Sequence, residues 1–333
     1  MLKEFNFSSH DETGLLVCAG GFEPRSIAFV DRLRKTRCSF EKALVLQYES
    51  QRNDNEPNYK HLFHKLKTIM KFQPKVVFVN SDKPIQSCSN IKTKIGELAI
   101  KIVNKSAYVD ISGMTHLWAI SAIHACVSLG FRTSVIYTEA RWYYPPKREQ
   151  HKILKAWRNH QYDLAVAYLQ SAGLKAVHIL PEFGGNFRPG RPVCLMIFVG
   201  YEPNRIEGLV DTYAPGALIL FYGKSPHKEL QWRAQLSKFL HAELFSKWYV
   251  RETDISTLTV EEMLTKLEDE FQILQDEYDL AIAPQCSKMQ ALASYLFWQR
   301  HPETQLLFTS PVRFNPVRYS QGARKTFIYD ISS

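Results

Sequence analysis

The chain has 333 residues, 45% hydrophobic and 23% charged, enough for about two globular domains with full cores. Its net charge of +9 favours anionic partners such as nucleotides, nucleic acid or an acidic protein surface. No apolar run approaches the roughly 20 residues of a membrane span, and the opening MLKEFNFSSHDETG lacks a signal core, so no membrane partner and a cytoplasmic location are expected.

In chain order, GLLVCAG (14–20) reads as a buried parallel strand ending in glycine, and SIAFVDRLRKT as an amphipathic helix. Strands KALVLQY (42–48) and KVVFVNS (75–81) follow, with the helical NYKHLFHKLKTIMKF between them. IKTKIGELAIKIVNK predicts a helix, AYVDIS (107–112) a strand, MTHLWAISAIHACVSLG a helix closed by Gly130, and RTSVIYTE (132–139) a strand. From Tyr144 to Pro192 the texture changes. PPKREQHKILKAWRNHQYDLAVAYLQSAGL reads as two helices joined near Asn159, and PEFGGNFRPGRP, dense in glycine and proline, as a connector. The second half repeats the programme: strand PVCLMIFVG, a helix, strand GALILFYG (216–223) and helix KELQWRAQLSKFLHAELF. The acidic helix TVEEMLTKLEDEFQILQDEY, strand DLAIAP (279–284), helix SKMQALASYLFWQRH and strand ETQLLFTS (303–310) complete it. The expected fold is therefore α/β, two pseudo-duplicated Rossmann-like parallel-sheet domains joined by a helical linker, with boundaries at 1–145, 146–192 and 193–333.

Landmarks strengthen the case for duplication. CAGGFEPRS (18–26) has a second version in FVGYEPNR (198–205), each leaving a short apolar run. Gly21 to Gly200 and Pro24 to Pro203 both span 179 positions, while Thr138 to Thr309 and Pro145 to Pro316 both span 171. The slipped offset is what loop changes in a drifted tandem copy produce. A one-residue gap also pairs His116 with Lys288.

In an open parallel sheet, ligands bind at the carboxyl ends of strands, above all at the topological switch point. The glycines, Gly21 among them, would let backbone approach a ligand, and proline suits the first turn of the next helix. Arg25 and Arg205 offer planar, permanently charged donors for an anion. Glu23 and Glu202 either accept from a base or ribose or hold the arginine. The loop DISGMTHL (110–117) offers Ser112, Gly113 and Thr115 at a positive helix end, with His116 at the helix start. Neither G-x-x-x-x-G-K-[ST] nor G-x-G-x-x-G is present. A third repeated place, EARWYYPPKR (139–148) and SPVRFNPVRY (310–319), puts Arg141 and Arg313 beside aromatics, a stacking and phosphate-contact surface or a packing contact between repeats.

DISGMTHLWAISA resembles the strand-to-helix loop of the CARF family, Rossmann-like sensors of cyclic oligoadenylates, which carries an Asp-apolar-Thr-Gly-Gly-Thr-Lys pattern. Asp110, Gly113 and Thr115 stand at matching positions; His116 stands where the family usually has lysine, and the second copy keeps Lys288 there but loses the glycine. The resemblance implies a nucleotide-like or phosphorylated ligand, such as a cyclic oligonucleotide messenger, bound between the two halves. It also implies a sensor or regulatory component of a prokaryotic defence or stress system.

Two alternatives stay open. Asp110 and Glu139 could line a cleft for a metal-dependent nuclease or nucleotide-processing effector, although TEA lacks the lysine of the PD-(D/E)xK grammar. The chain could instead be a non-catalytic subunit of a defence complex, bound to a protein partner through its aromatic and acidic faces. The six cysteines, 18, 38, 88, 126, 194 and 286, show neither C-x-x-C nor metal spacing, so reduced thiols, no bound metal and no cofactor are expected.

Overall fold

A computed structural model of the chain describes residues 2–4, 12–36, 39–49, 52–70, 72–242 and 250–331. Most of the opening segment, Cys38 and the end of the helix expected to reach Phe245 lie outside the described residues. The chain divides into two compact units, Met1–Tyr143 with Ser320–Ser333, and Tyr144–Tyr319.

Unit 1 runs β1 (Leu2–Glu4), β2 (Glu12–Ala19), α1 (Ala28–Thr36), β3 (Ser39–Tyr48), α2 (Arg52–Lys67), β4 (Lys75–Val79) and α3 (Pro84–Ala99). It continues through β5 (Ser106–Asp110), α4 (His116–Ser128) and β6 (Arg132–Tyr143), then takes β14 (Ser320–Asp330) from the far end of the chain. One sheet results, ordered β1-β14-β6-β5-β2-β3-β4. From β6 to β4 every pairing is parallel; β14 is antiparallel to β6, and β1 to β14. The apolar run of β2 explains its central place: Leu15 to Ala19 carry no exposed surface. Phe29, Val30 and Leu33 of α1 and Leu62 and Leu66 of α2 cover one face, packed on Leu16, Cys18 and Val45.

Unit 2 comprises α5 (Gln150–Arg158), α6 (Tyr162–Val166), β7 (Ser171–His178), β8 (Val193–Val199), α7 (Pro203–Tyr213), β9 (Ala217–Lys224) and α8 (Trp232–Leu240). Then come β10 (Val250–Ser256), α9 (Val260–Leu274), β11 (Asp279–Pro284), α10 (Lys288–Arg300), β12 (Gln305–Leu306) and β13 (Phe308–Phe314). Its five-stranded sheet, β10-β9-β8-β11-β12, is parallel throughout, and β7 pairs antiparallel with β13. Counted from the first parallel strand of each unit, both sheets have the order 3-2-1-4-5. Both units are Rossmann-like. Their switch points fall between β2 and β5 and between β8 and β11.

The structure adds to the sequence reading at several places. The segment 146–192, read as a helical linker, groups with unit 2. Ile153, Ala156 and Trp157 of α5 are buried with Ala165 and Leu169 against Leu236 and Leu240 of α8, because a stripe this apolar needs a partner. The stretch read as the end of a second helix is β7, whose Gly173 at φ +70° breaks helical geometry. The sequence reading assigned neither β10 nor β14, which carry no continuous apolar run and are mixed polar strands. As a test of where α5 belongs, Leu236→Ala should cost about 2–5 kcal/mol in thermal or urea unfolding and speed hydrogen exchange in residues 150–158.

Candidate functional site

In unit 1 the loops that follow β2 and β5 meet at the switch point with almost no room between them. A Cβ added to Gly21 would lie 2.7 Å from the Gly113 carbonyl, and one added to Gly113 would lie 2.3 Å from the Ala19 carbonyl. A Cβ on Gly20 would meet the Tyr59 backbone of α2 at 2.7 Å. The glycines therefore serve the approach of loop to loop, where the sequence suggests an approach of loop to ligand. Asn58 Nδ2 and Ser26 Oγ both donate to the Gly21 carbonyl, at 2.9 and 3.2 Å. The Tyr48 hydroxyl, from the end of β3, donates to the Gly113 carbonyl at 3.0 Å and accepts from Thr115 N–H at 2.9 Å. Thr115 caps α4, its Oγ1 accepting from Trp118 N–H. Thr115 is exposed and His116 half-buried at the mouth of this junction.

Glu23 and Arg25 are spent inside the fold. Arg25 Nε and Nη2 each donate to the Glu23 carboxylate at 3.2 Å, and Nη1 donates to the Thr138 carbonyl at 3.0 Å and to the Tyr137 hydroxyl at 3.3 Å. The guanidinium lies 5.6 Å from the Tyr137 ring centre and 5.8 Å from that of Tyr143. Ser320 Oγ, at the start of β14, donates to Glu23 Oε1. Of the two roles open to Glu23, holding the arginine is the one observed. Arg25, expected to clamp an anion, is instead a strut between the glycine loop and β6.

Asp110 is fully enclosed. Its Oδ1 accepts from Ser112 Oγ at 2.7 Å, and Oδ2 has no hydrogen-bond partner. Burial raises its carboxyl from the ordinary 3.8 to about 7, against the opposing bonds from Ser112 and the charge of Arg25. Ser112 Oγ in turn accepts from Thr138 N–H at 2.7 Å. Both backbone groups of Thr138 thus serve the site, beside a register shift where β14 crosses β6. Glu139 is buried next to Thr138, and Arg141 is exposed further along β6. No set of three or more His, Cys, Asp or Glu residues suited to a metal occurs among the described residues.

Unit 2 repeats the plan with looser chemistry. A Cβ on Gly200 would lie 2.6 Å from the Gln285 carbonyl, so the loops after β8 and β11 also touch. Arg205 Nε stands 3.6 Å from Glu202 Oε2, an ion pair without a hydrogen bond, and Ser171 Oγ donates to Glu202 Oε1. Ser287 caps α10 with a full capping box from Gln290, which places Lys288, half-buried, where His116 stands in unit 1. Arg233 lies 4.5 Å from the ring centre of Tyr201 and donates to the Tyr144 and Pro145 carbonyls. Arg313 is exposed on β13. Sequence reasoning missed Tyr48, Arg233 and the two serines; only the serines carry a readable signal, the recurring Ser-x-Gly at 171–173 and 320–322.

No protein-family model matches the chain, and no curated protein matches it. Among solved structures, it is similar to a Type III CRISPR defence DNA nuclease activated by cyclic oligoadenylate, with a TM-score of 0.50 and 9% identity over 93% of this chain and 68% of the other. UDP-GlcNAc 2-epimerase from Neisseria meningitidis gives a TM-score of 0.25 and 12% identity over 82% of this chain and 77% of the other. The first likeness shows a shared fold; the second is too weak to carry an argument. Among the described residues, no helix is long and apolar enough to cross a membrane.

Gly113→Ala should destabilise unit 1 by about 1–3 kcal/mol, since its Cβ would press on backbone. Gly96→Ala, in α3 with nothing within 4 Å of the added Cβ, should raise stability by about 0.5–1 kcal/mol; urea unfolding of both variants checks the contrast. Asp110 makes a pH-dependent contribution of definite sign. Between the unfolded value near 3.8 and about 7, the folded chain retains a proton that the unfolded chain releases, so this group opposes folding increasingly as pH rises. Asp110→Asn should therefore gain stability relative to the unaltered protein between pH 5 and pH 8, read as the difference in Tm at the two pH values.

Proposed function

We propose that unit 1 binds a nucleotide-like or other phosphorylated anion where the 21–25 and 112–116 loops meet. Binding there would serve a sensing or regulatory role in a defence system. The observation that carries this reading is the fusion of two glycine loops at the switch point of a 3-2-1-4-5 sheet, with the first turn of α4 at its mouth. Such a junction offers backbone N–H groups and a positive helix end to an anion.

Within this reading Ser112 and Gly113 shape the loop, while Thr115 and His116 meet the ligand. Glu23 and Arg25 hold the loop in place rather than touch the anion. Lys288 and Arg205 are the corresponding cations of unit 2, where Arg205 Nε makes no hydrogen bond. The net charge of +9 and the likeness to a nuclease activated by cyclic oligoadenylate both support a polyanionic nucleotide. A cyclic oligoadenylate is thus the first ligand to try.

Titration calorimetry with cyclic tetra-adenylate, cyclic hexa-adenylate, their linear counterparts and inorganic phosphate tests the proposal. Saturable binding of one adenylate is expected, weakened about tenfold or more by His116→Ala, the loss of one charge-assisted contact. No binding across the series, or binding indifferent to His116, would overturn it.

A further inference from the structure

The serines that close the two Glu–Arg loops come from opposite ends of the duplication. Ser171 opens β7 and donates to Glu202, whereas Ser320 opens β14 and donates to Glu23. The two strands match in detail. Each begins Ser-x-Gly, and Gly173 and Gly322 both take positive φ, +70° and +66°. A Cβ on Gly173 would meet the Val312 side chain at 3.1 Å, and one on Gly322 would meet the Arg141 side chain at 3.3 Å. Val312 and Arg141 are 171 positions apart, the offset that also relates Thr309 to Thr138 and Pro316 to Pro145. Each strand pairs antiparallel with a strand late in the other repeat, β7 with β13 and β14 with β6.

Chain order makes this correspondence informative. β7 follows the strands of the first repeat yet pairs in the second unit, and β14 follows the strands of the second repeat yet pairs in the first. From Pro145 the chain takes 26 residues to reach Ser171, the stretch that holds α5 and α6; from Pro316 it takes four to reach Ser320.

We infer that the two repeats have exchanged their final strands, so that Ser320 and Ser171 are positioning residues supplied by one repeat to the Glu–Arg loop of the other. A single protomer of this design, folded alone, would have laid its own Ser-x-Gly strand against its own last strand; here β14 of the second repeat pairs with β6, and β7 of the first repeat pairs with β13. The exchange removes independence from the two loops. Glu23 keeps its bond from Ser320 only while the end of the second repeat is in place, and Glu202 keeps its serine only while the end of the first repeat is. The inference goes beyond the nucleotide reading and stands on strand geometry alone.

A protease site placed between Pro189 and Gly190, in an exposed turn with nothing within 4 Å of a Cβ on Gly190, tests the exchange on the full chain. The cut protein should elute at the size of the uncut chain and come apart only in denaturant, since each fragment holds a strand of the other unit. Fragments that separate in native buffer would overturn the inference. Hydrogen exchange then tests the serines. Ser320→Ala should speed exchange about tenfold or more in residues 21–27 and leave 200–206 unchanged, with Ser171→Ala doing the reverse. Unchanged exchange at both loops would overturn their positioning role. Neither readout involves a ligand, so failure of the nucleotide reading is a separate outcome.

Discussion

The loops of unit 1 occupy their positions because Gly21 and Gly113 carry no side chains. The 2.3 to 2.7 Å clearances around them exclude even a methyl group, so the ends of β2 and β5 are held at a backbone-to-backbone distance. Everything at the switch point is built on that approach. It puts Thr115 under the Tyr48 hydroxyl, starts α4 at His116 and leaves the first turn of that helix at the mouth of the junction.

A second constraint fixes the direction in which the loop leaves the sheet. A carboxylate and a guanidinium shut away from water are costly unless each hydrogen-bonding group is matched, and removing one partner leaves a buried charge. Glu23 and Arg25 meet that demand with bonds to each other, Ser320, Tyr137 and Thr138. The pair in unit 2 meets it less well, at 3.6 Å. Near-identical words in the sequence thus produce one tight strut and one loose one. The copies share a frame while differing in how firmly the arginine is held.

Much of the fold was legible because buried parallel strands write themselves as short apolar runs. GLLVCAG, KALVLQY, PVCLMIFVG and DLAIAP all became strands, and their alternation with helices implied the doubly wound sheets that form. VRETDIS and SQGARKTFIYD were not legible as strands, since both alternate charge with small or apolar residues and neither occupies the middle of the parallel run. Long-range pairing decided them. At the site, Gly-aromatic-Glu-Pro and DISGMTH were readable as strand-end loops. The destination of Arg25 was not, because an arginine two residues from a glutamate reads the same whether it faces solvent, a ligand or its neighbour. Only the tyrosines of β6, more than a hundred residues away, settle the matter. Asp110 shows the same limit: its position in the motif was clear, its enclosure and its bond to Ser112 were not.

The account stands or falls on where an anion touches unit 1. Backbone amide chemical-shift mapping with a bound adenylate addresses this most directly. The account predicts that the largest perturbations fall on residues 113–117 and 21–25. Perturbations centred elsewhere in the unit, with those amides unmoved, would contradict it.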